Sequence, residues 1–491
     1  MQRILPVTHE HALFDVAGTR AIEQRAAATL PPHTLMARAG EATARLVLAL
    51  VPHAQQVWIA AGPGNNGGDG LEAASQLQRW GKQVTVSLIG DPAQLPADAR
   101  EALASAQAAG VCFDESPPSN PDLAIDTLLG IGASRAPQGA IAATIKQLNA
   151  LTCPLLAIDI PSGLHADTGQ PLGDACVNAT HTLTLLTLKP GLFTGSGRDH
   201  AGSVWLDDLG VDTSGDAPTA WLSGAQARHA RRHAQHKGSF GDVAVIGGAP
   251  GMSGAALLAA RAAHAAGAGR VFVDLLEAHA LTLDFARPEL MFRHDWHRSA
   301  PEVLARSAIV CGCGGGDAVR VVLPRMLSLA ARLVLDADAL NALAADASLI
   351  PLLRARATRG LSTVLTPHPL EAARLLGSTT AEVQSDRRRA ALALAERFDA
   401  IAVLKGSGSV IAAPRQVPRI NSSGNASLAT GGTGDVLAGW LGGRWAALDA
   451  HDADAAFAIT VQAVAEHGAA AEPASPGALR AGDLIERLLR H

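Results

Sequence analysis

The sequence contains no tyrosine, and phenylalanine and tryptophan raise its aromatic content to only 3%. Stacking of bases on aromatic faces is therefore a poor candidate for its binding mode. Positive charge is also short: the net charge is −5, without the basic footprint of a nucleic-acid binder. The five cysteines, Cys112, Cys153, Cys176, Cys311 and Cys313, are odd in number and lack disulfide-type spacing, which argues against a stapled secreted scaffold. No apolar run approaches the roughly 20 residues of a membrane span. Met1 to Pro6 carries no apolar signal core. A soluble protein of a reduced cytoplasm is expected, with neither nucleic acid nor membrane as partner.

What is present is a chain of 491 residues, 48% of them apolar and 17% charged. That is too long for one hydrophobic core and ample for two or three. The first half alternates strand and helix patterns. Strands are expected at Val57–Ala61, Val84–Leu88, Leu123–Asp126, Leu155–Ile160 and Thr182–Leu188, with a helix from Leu71 to Trp80. The alternation breaks near Asp212–Pro218 and gives way to a basic, histidine-rich segment, Arg228 to Lys237. It restarts at Val243–Ile246 and continues through a helix from Ser253 to Ala266 and strands at Val271–Val273, Ala308–Val310, Leu333–Asp336, Thr363–Leu365 and Ile401–Leu404. Helices are expected at Ala455–Ala470 and Ala481–Arg490. Such alternation predicts parallel sheets covered on both faces. The expected division is a domain over 1–214, a linker over 215–236 and a second domain over 237–491. His229 and His233 are spaced to share a helix face with a metal, but a solvated linker is the simpler reading. Cys311-Gly312-Cys313 reads as buried thiols at a strand end rather than a redox pair.

Two glycine-rich stretches carry the chemistry. In Ala429-Thr430-Gly431-Gly432-Thr433-Gly434-Asp435-Val436, small residues run into an apolar helical pattern. Free amides at a helix start, with the helix dipole behind them, bind anions. Asp435 in the first turn is placed to take a proton from an attacking hydroxyl, as phosphoryl transfer requires. Lys405-Gly406-Ser407-Gly408-Ser409 follows a strand and suits a nucleotide phosphate, although the spacing is not that of a P-loop. His368, in Thr366-Pro367-His368-Pro369, is a candidate substrate contact or a turn histidine.

In the first half, Gly62, Gly64 and Gly67 satisfy the G-x-G-x-x-G dinucleotide pattern, with Asp91 as a possible ribose ligand. Asn65-Asn66 and Gly68-Asp69-Gly70 make the turn more specialised than a phosphate cradle, although Asp69 also suits a helix cap. Asp126 and Asp159 stand at the carboxyl ends of strands, where sites of parallel sheets lie. Oxygen ligands from Asn66, Asp126 and Ser162 suit an alkali or alkaline-earth cation.

Together these motifs resemble the bifunctional NAD(P)H-hydrate repair enzymes along essentially the whole chain. Gly64 to Gly70, Asp126 to Arg135, Asp159-Ile160-Pro161-Ser162-Gly163 and Met36 to Gly40 resemble the family's epimerase domain. His236-Lys237-Gly238, Gly254-Ala255-Ala256, Asp336 to Asn341, Thr366 to Pro369, Lys405-Gly406 and Gly431 to Asp435 resemble its nucleotide-dependent dehydratase domain. The resemblance implies an α/β chain of two three-layer α/β/α domains, the first Rossmann-like and the second ribokinase-like. It implies that Asn65, Asn66, Gly67, Gly68, Asp69, Gly130, Ile131, Gly132, Ala133, Ser134, Arg135, Ala136 and Asp159 bind hydrated NADH or NADPH. Potassium would sit on Asn66, Asp126 and Ser162. Ala256, Gly316, His368 and Asp435 would contact the hydrate in the second domain. Lys405, Gly406, Ser407, Gly408, Ser409 and Gly434 would bind ADP, with magnesium. Asp159 and Asp435 are the candidate catalytic residues, and a homo-oligomer is expected. The alternative is a vitamin or sugar kinase fused to a silent Rossmann-type module. One departure is visible: the family's Gly-Pro-Gly-Leu-Gly loop is Gly312-Cys313-Gly314-Gly315-Gly316 here.

Overall fold

The computed structural model describes residues 1–225, 233–278, 280–448, 452–472 and 477–490. Two compact units emerge: Met1–Leu5 with His11–Trp221, and Pro6–Glu10 with Leu222–His491. Among the described residues no helix is long and apolar enough to cross a membrane.

The first unit is built on a sheet whose strands lie in the order Gln2–Arg3, Ser203–Asp207, His181–Leu185, Leu155–Ile158, Leu123–Thr127, Gln56–Ala61, Gln83–Leu88, Cys112–Phe113. Only Gln2–Arg3 runs antiparallel to its neighbour. The central strands are apolar and buried on both faces, as a parallel sheet between helices demands. Separate apolar clusters, one around Ile59 and Leu183 and one around Trp58 and Leu155, fill the two sides of that sheet.

Gly62 ends the central strand, where a Cβ would lie 1.9 Å from the Leu128 carbonyl oxygen, so only glycine lets these two strand ends approach. The following helix begins at Asn65, well before the expected Leu71, and places the whole Asn65–Gly70 motif in its opening turns. Two expected strands stop short. Asp159 has φ +68° and Leu186 φ +67°, which end the extended runs at Ile158 and Leu185. Both breaks occur where the chain turns toward a cavity.

The second unit carries strands in the order Met291–Phe292, Arg270–Leu275, Asp242–Gly247, Ser307–Cys311, Arg332–Leu335, Thr363–Leu365, Ile401–Leu404, Val410–Ala412, Arg419–Asn421. The first seven are parallel and the last two form an antiparallel extension that the sequence pattern did not suggest. Helices Ser253–Ala265 and Thr433–Ala446 pack closely on one face. A Cβ on Gly439 would meet the Ala259 carbonyl oxygen at 1.9 Å. The abundance of alanine and glycine thus buys backbone-to-backbone packing. Both units are α/β, as expected.

The segment 215–236, expected as a linker, holds the strand Ala220–Ser223. The Ser223 carbonyl accepts from the Ser422 amide at 2.9 Å and from its hydroxyl at 2.8 Å. His229 lies outside the described residues.

Candidate active sites

In the first unit a cavity of about 620 Å³ opens where strand ends meet the Asn65 helix. Lys189 lies on its floor with a fully buried side chain. Its ammonium donates to Asp159 Oδ1 at 2.5 Å, to Thr184 Oγ1 at 3.0 Å and to the Leu185 carbonyl at 2.7 Å. The other Asp159 oxygen accepts from the Ile131 amide at 3.1 Å. The carboxylate therefore stands at the cavity wall as half of an ion pair, held from two sides. Burial and the charge of Asp159 push the carboxyl of Asp69 well above its ordinary value. Glu23, on the neighbouring helix Val16–Ala27, is raised by the same two causes.

Beside the cavity lies a polar knot. Asp126 accepts from Ser162 Oγ at 2.6 Å, from the Ser162 amide at 2.8 Å and from the Leu128 amide at 3.1 Å. Burial raises it to about 6 against the pull of these bonds. Asn66 is buried, and among the described residues neither its amide nitrogen nor its oxygen has a partner. Orphaned amide atoms of this kind point to a group that completes the site.

Of the residues expected to hold the substrate, Asn65, Asn66, Asp69, Gly130, Ile131, Gly132, Ala133 and Asp159 do line this cavity. Gly67 and Gly68 do not; they face the packing, with a Cβ on Gly67 meeting the Gly62 carbonyl and one on Gly68 meeting Met36. Ser134, Arg135 and Ala136 continue outward as exposed loop. Asp91 caps the short turn Pro92–Gln94, accepting from the Ala93 amide at 2.9 Å, and is not a ligand-facing group.

In the second unit the helix Thr433–Ala446 starts from Gly432 at φ +90°. A Cβ on Gly434 would lie 3.2 Å from Lys405 Nζ, so the lysine faces the helix-start amides directly. Lys405 donates to Asp336 Oδ1 at 2.8 Å, and Thr366 Oγ1 donates to the same oxygen at 2.7 Å. Burial opposes the charge on Lys405, but Asp336 and Glu371 outweigh it and hold the ammonium above its usual range. Asp435, Asp336 and the Cys313 thiol converge with their ligand atoms within 4.8 Å of one another. Asp435 is raised to about 6 by burial and by Asp336. Burial pushes the Cys313 thiol far up, so it stays protonated and acts as a donor to Asp435.

His368 caps the helix Pro369–Leu376: its Nδ1 accepts from the amides of Leu370 at 3.2 Å and Glu371 at 3.3 Å. The proton is therefore on Nε2, which lies 3.3 Å from Glu371 Oε1. Half of this side chain remains exposed. Lys405 through Ser409 form a tight turn with φ +142° at Gly406 and +59° at Gly408. The buried Arg387 guanidinium supports it through the carbonyls of Leu404 and Lys405. Ala256 is fully buried against Gly248 and offers no side-chain surface to a substrate. Gly316, at φ +51°, donates its amide to Asp338 at 2.9 Å.

Sequence reasoning missed Lys189, Glu23, Asp336, Glu371 and His467 as site members. Asp336 carried the signal used for Asp126 and Asp159, a carboxylate at a strand end. His467 is buried and held near a pKa of about 4 by burial, so its neutral Nε2–H donates to the Thr433 carbonyl at 2.9 Å and fixes the helix start.

Residues 32–191 match the family model described as the YjeF-related protein N-terminus, and residues 243–490 match that described as NAD(P)H-hydrate dehydratase. The chain is 36% identical to the bifunctional NAD(P)H-hydrate repair enzyme Nnr of Escherichia coli (strain K12), over 95% of this chain and 90% of that protein. It is also 36% identical to the protein of the same name from Coxiella burnetii, over 97% and 98%. Among solved structures, the ADP/ATP-dependent NAD(P)H-hydrate dehydratase of Bacillus subtilis, co-crystallised with ATP and magnesium, aligns at 28% identity and TM-score 0.43, covering 53% of this chain and 92% of that one.

Proposed function

The chain belongs to the family of bifunctional NAD(P)H-hydrate repair enzymes, and on that premise we propose that its two sites divide one repair between them. The half over 1–214 interconverts the R and S hydrates of NADH and NADPH. The half over 237–491 dehydrates the S hydrate at the expense of ADP, leaving AMP and phosphate. The observation that carries the reading is Asp435, raised to about 6 in the first turn of a helix whose opening amides face Lys405.

In the dehydratase half the nucleotide's terminal phosphoryl group would lie between Lys405 and the amides around Gly434. Asp435 accepts the proton of the hydrate's hydroxyl as that oxygen takes the phosphoryl group. Phosphate then leaves with the carbon–oxygen bond pair, pushed by the ring nitrogen, and loss of the neighbouring ring proton restores the double bond. Lys405 and the helix start stabilise charge that grows on the phosphoryl oxygens. Three acidic residues, Asp336, Glu371 and Asp435, face the single ammonium of Lys405, an excess of negative charge that suits a divalent cation. Asp336 would hold magnesium through carboxylate oxygen, the buried thiol of Cys313 being too soft a ligand for it. Bound there, magnesium would neutralise the charge of the transferring phosphoryl group.

In the epimerase half, Asp159 is the acid/base residue, oriented by Lys189 and the Ile131 amide. Asn66, with its orphaned amide, would hold potassium together with Asp126 and Ser162. Potassium would fix the loop Leu128–Ile131 and offset the charge of buried Asp126. The unpaired cysteines accord with a reduced, cytoplasmic setting.

The test supplies hydrated NADH with ADP or with ATP and follows recovery of the NADH absorbance band, with chromatography of the spent nucleotide. ADP supports fast turnover and AMP accumulates. Fast turnover with ATP alone, releasing ADP and phosphate and no AMP, would overturn the donor assignment. A stable phosphorylated product with no NADH would instead favour a small-molecule kinase.

A further inference from the structure

The epimerase cavity holds a carboxyl group that the reading above leaves without a chemical task. Asp69 suits a helix cap on sequence grounds, but the helix begins at Asn65, its N-cap is Gly64, and no side chain caps it. Asp69 lies a full turn further in. It faces the cavity on the same helix side as Asn66. Among the described residues its carboxyl makes no hydrogen bond and no ion pair, whereas Asp159 on the same cavity is tied to Lys189 and to the Ile131 amide. A partly buried carboxyl without a partner is costly when ionised and is expected to remain neutral. The charged groups that act on it are Asp159, Glu23 and Glu72, which disfavour ionisation, and Lys189, which favours it; burial outweighs all of them. One cavity thus presents one carboxyl held in an ion pair with Lys189 and one that burial and its acidic neighbours push toward the neutral form, the arrangement that divides acid from base.

We propose that Asp69 is the second proton carrier of the epimerisation, giving its proton to the departing hydroxyl while Asp159 takes one from the water that replaces it. The inference rests on the epimerase reading of this cavity. In the first step the bond from the ring carbon to its hydroxyl breaks. The electron pair leaves with oxygen, Asp69 supplies the proton, and water departs. The ring nitrogen's lone pair closes a carbon–nitrogen double bond and leaves a planar cation. In the second step a solvent water adds to the opposite face of that carbon, the nitrogen recovers its pair, and Asp159 accepts the proton. Each conversion leaves Asp69 deprotonated and Asp159 protonated, and proton exchange with solvent water resets both; the reverse conversion runs the same steps backward from that state, so R to S and S to R use the same two groups. Asp69, pushed toward its neutral form, is the group poised to give a proton, and Asp159, held as half of an ion pair with Lys189, is the group poised to accept one.

The experiment measures R/S exchange by proton NMR in wild type, D69N and D69E, with hydrate affinity and dehydratase rate measured alongside. D69N should slow exchange by about 10²–10⁴-fold, leave hydrate affinity within about threefold, and leave dehydration untouched. D69E should restore part of the exchange. Because asparagine matches the neutral carboxyl in size, D69N should unfold at the wild-type temperature or above it, which separates lost chemistry from lost fold. Exchange in water labelled with oxygen-18 should place one label in the hydrate for each conversion. Wild-type exchange by folded D69N, or conversion without label, overturns the proposal while the epimerase reading stands. Absence of exchange in the wild type overturns both.

Discussion

The two halves use similar parts and set them differently. Each sets a lysine against a carboxylate just beyond a strand's carboxyl end, Lys189 on Asp159 and Lys405 on Asp336. Each adds a second carboxyl in the opening turns of a helix that follows a glycine turn, Asp69 and Asp435. In the first half the lysine is fully buried and spends its remaining donors on Thr184 and the Leu185 carbonyl. It can only hold Asp159 in place. In the second half the lysine lies against Gly434, where the helix start would receive an anion. The lesson is one of direction. On the proposed division of roles, a buried lysine turned inward suits a proton-transfer cavity, and one turned toward open backbone amides suits a phosphate site.

That contrast can be broken from either side, and the largest effect belongs to the base of the phosphate site. Asp435→Asn should slow dehydration by about 10²–10⁴-fold while R/S exchange, measured by NMR, continues at the wild-type rate. Next come the lysines, which should separate. Lys405→Met should cost roughly 10²–10³ in dehydration, read as initial rate against ADP concentration. Lys189→Met should cost about 3–5 kcal/mol of stability for a broken buried pair and slow R/S exchange through the loosened Asp159, read as an early unfolding transition and a slower NMR exchange with dehydration intact below that transition. If the two substitutions behave alike, the distinction in direction fails. The smallest effect concerns potassium. Exchanging it for a large organic cation should lower the unfolding temperature of the first transition by roughly 3–6 °C, the equivalent of ligand at about tenfold its dissociation constant. Asn66→Ala should abolish that dependence.

The positions of several of these groups were readable in the chain because their signals are local. A strand pattern ending on a carboxylate marks Asp126 and Asp159, and small residues running into an apolar helix mark Asp435. What stayed hidden is non-local. Lys189 reaches Asp159 only because Leu186 takes a left-handed conformation and turns the chain back after the strand. Glu23 comes from a helix far away in sequence. Asp69 was ambiguous because the start of its helix decides between cap and cavity group, and in the structure that start is Asn65, with Gly64 as N-cap. The Ser134 to Ala136 stretch continues from the cavity wall as exposed loop.

If two separate sites act in sequence on one metabolite, an amplitude should reveal it. A mixture of both hydrate epimers is supplied with excess ADP, and NADH absorbance is followed for the wild type and for Asp159→Asn. The wild type should recover all of the NADH in its fast course. The variant should recover quickly only the fraction present as the S hydrate, and the rest at the spontaneous exchange rate. Full and rapid recovery by Asp159→Asn, or equal slowing of both epimers, would rule out the division of labour between the two sites.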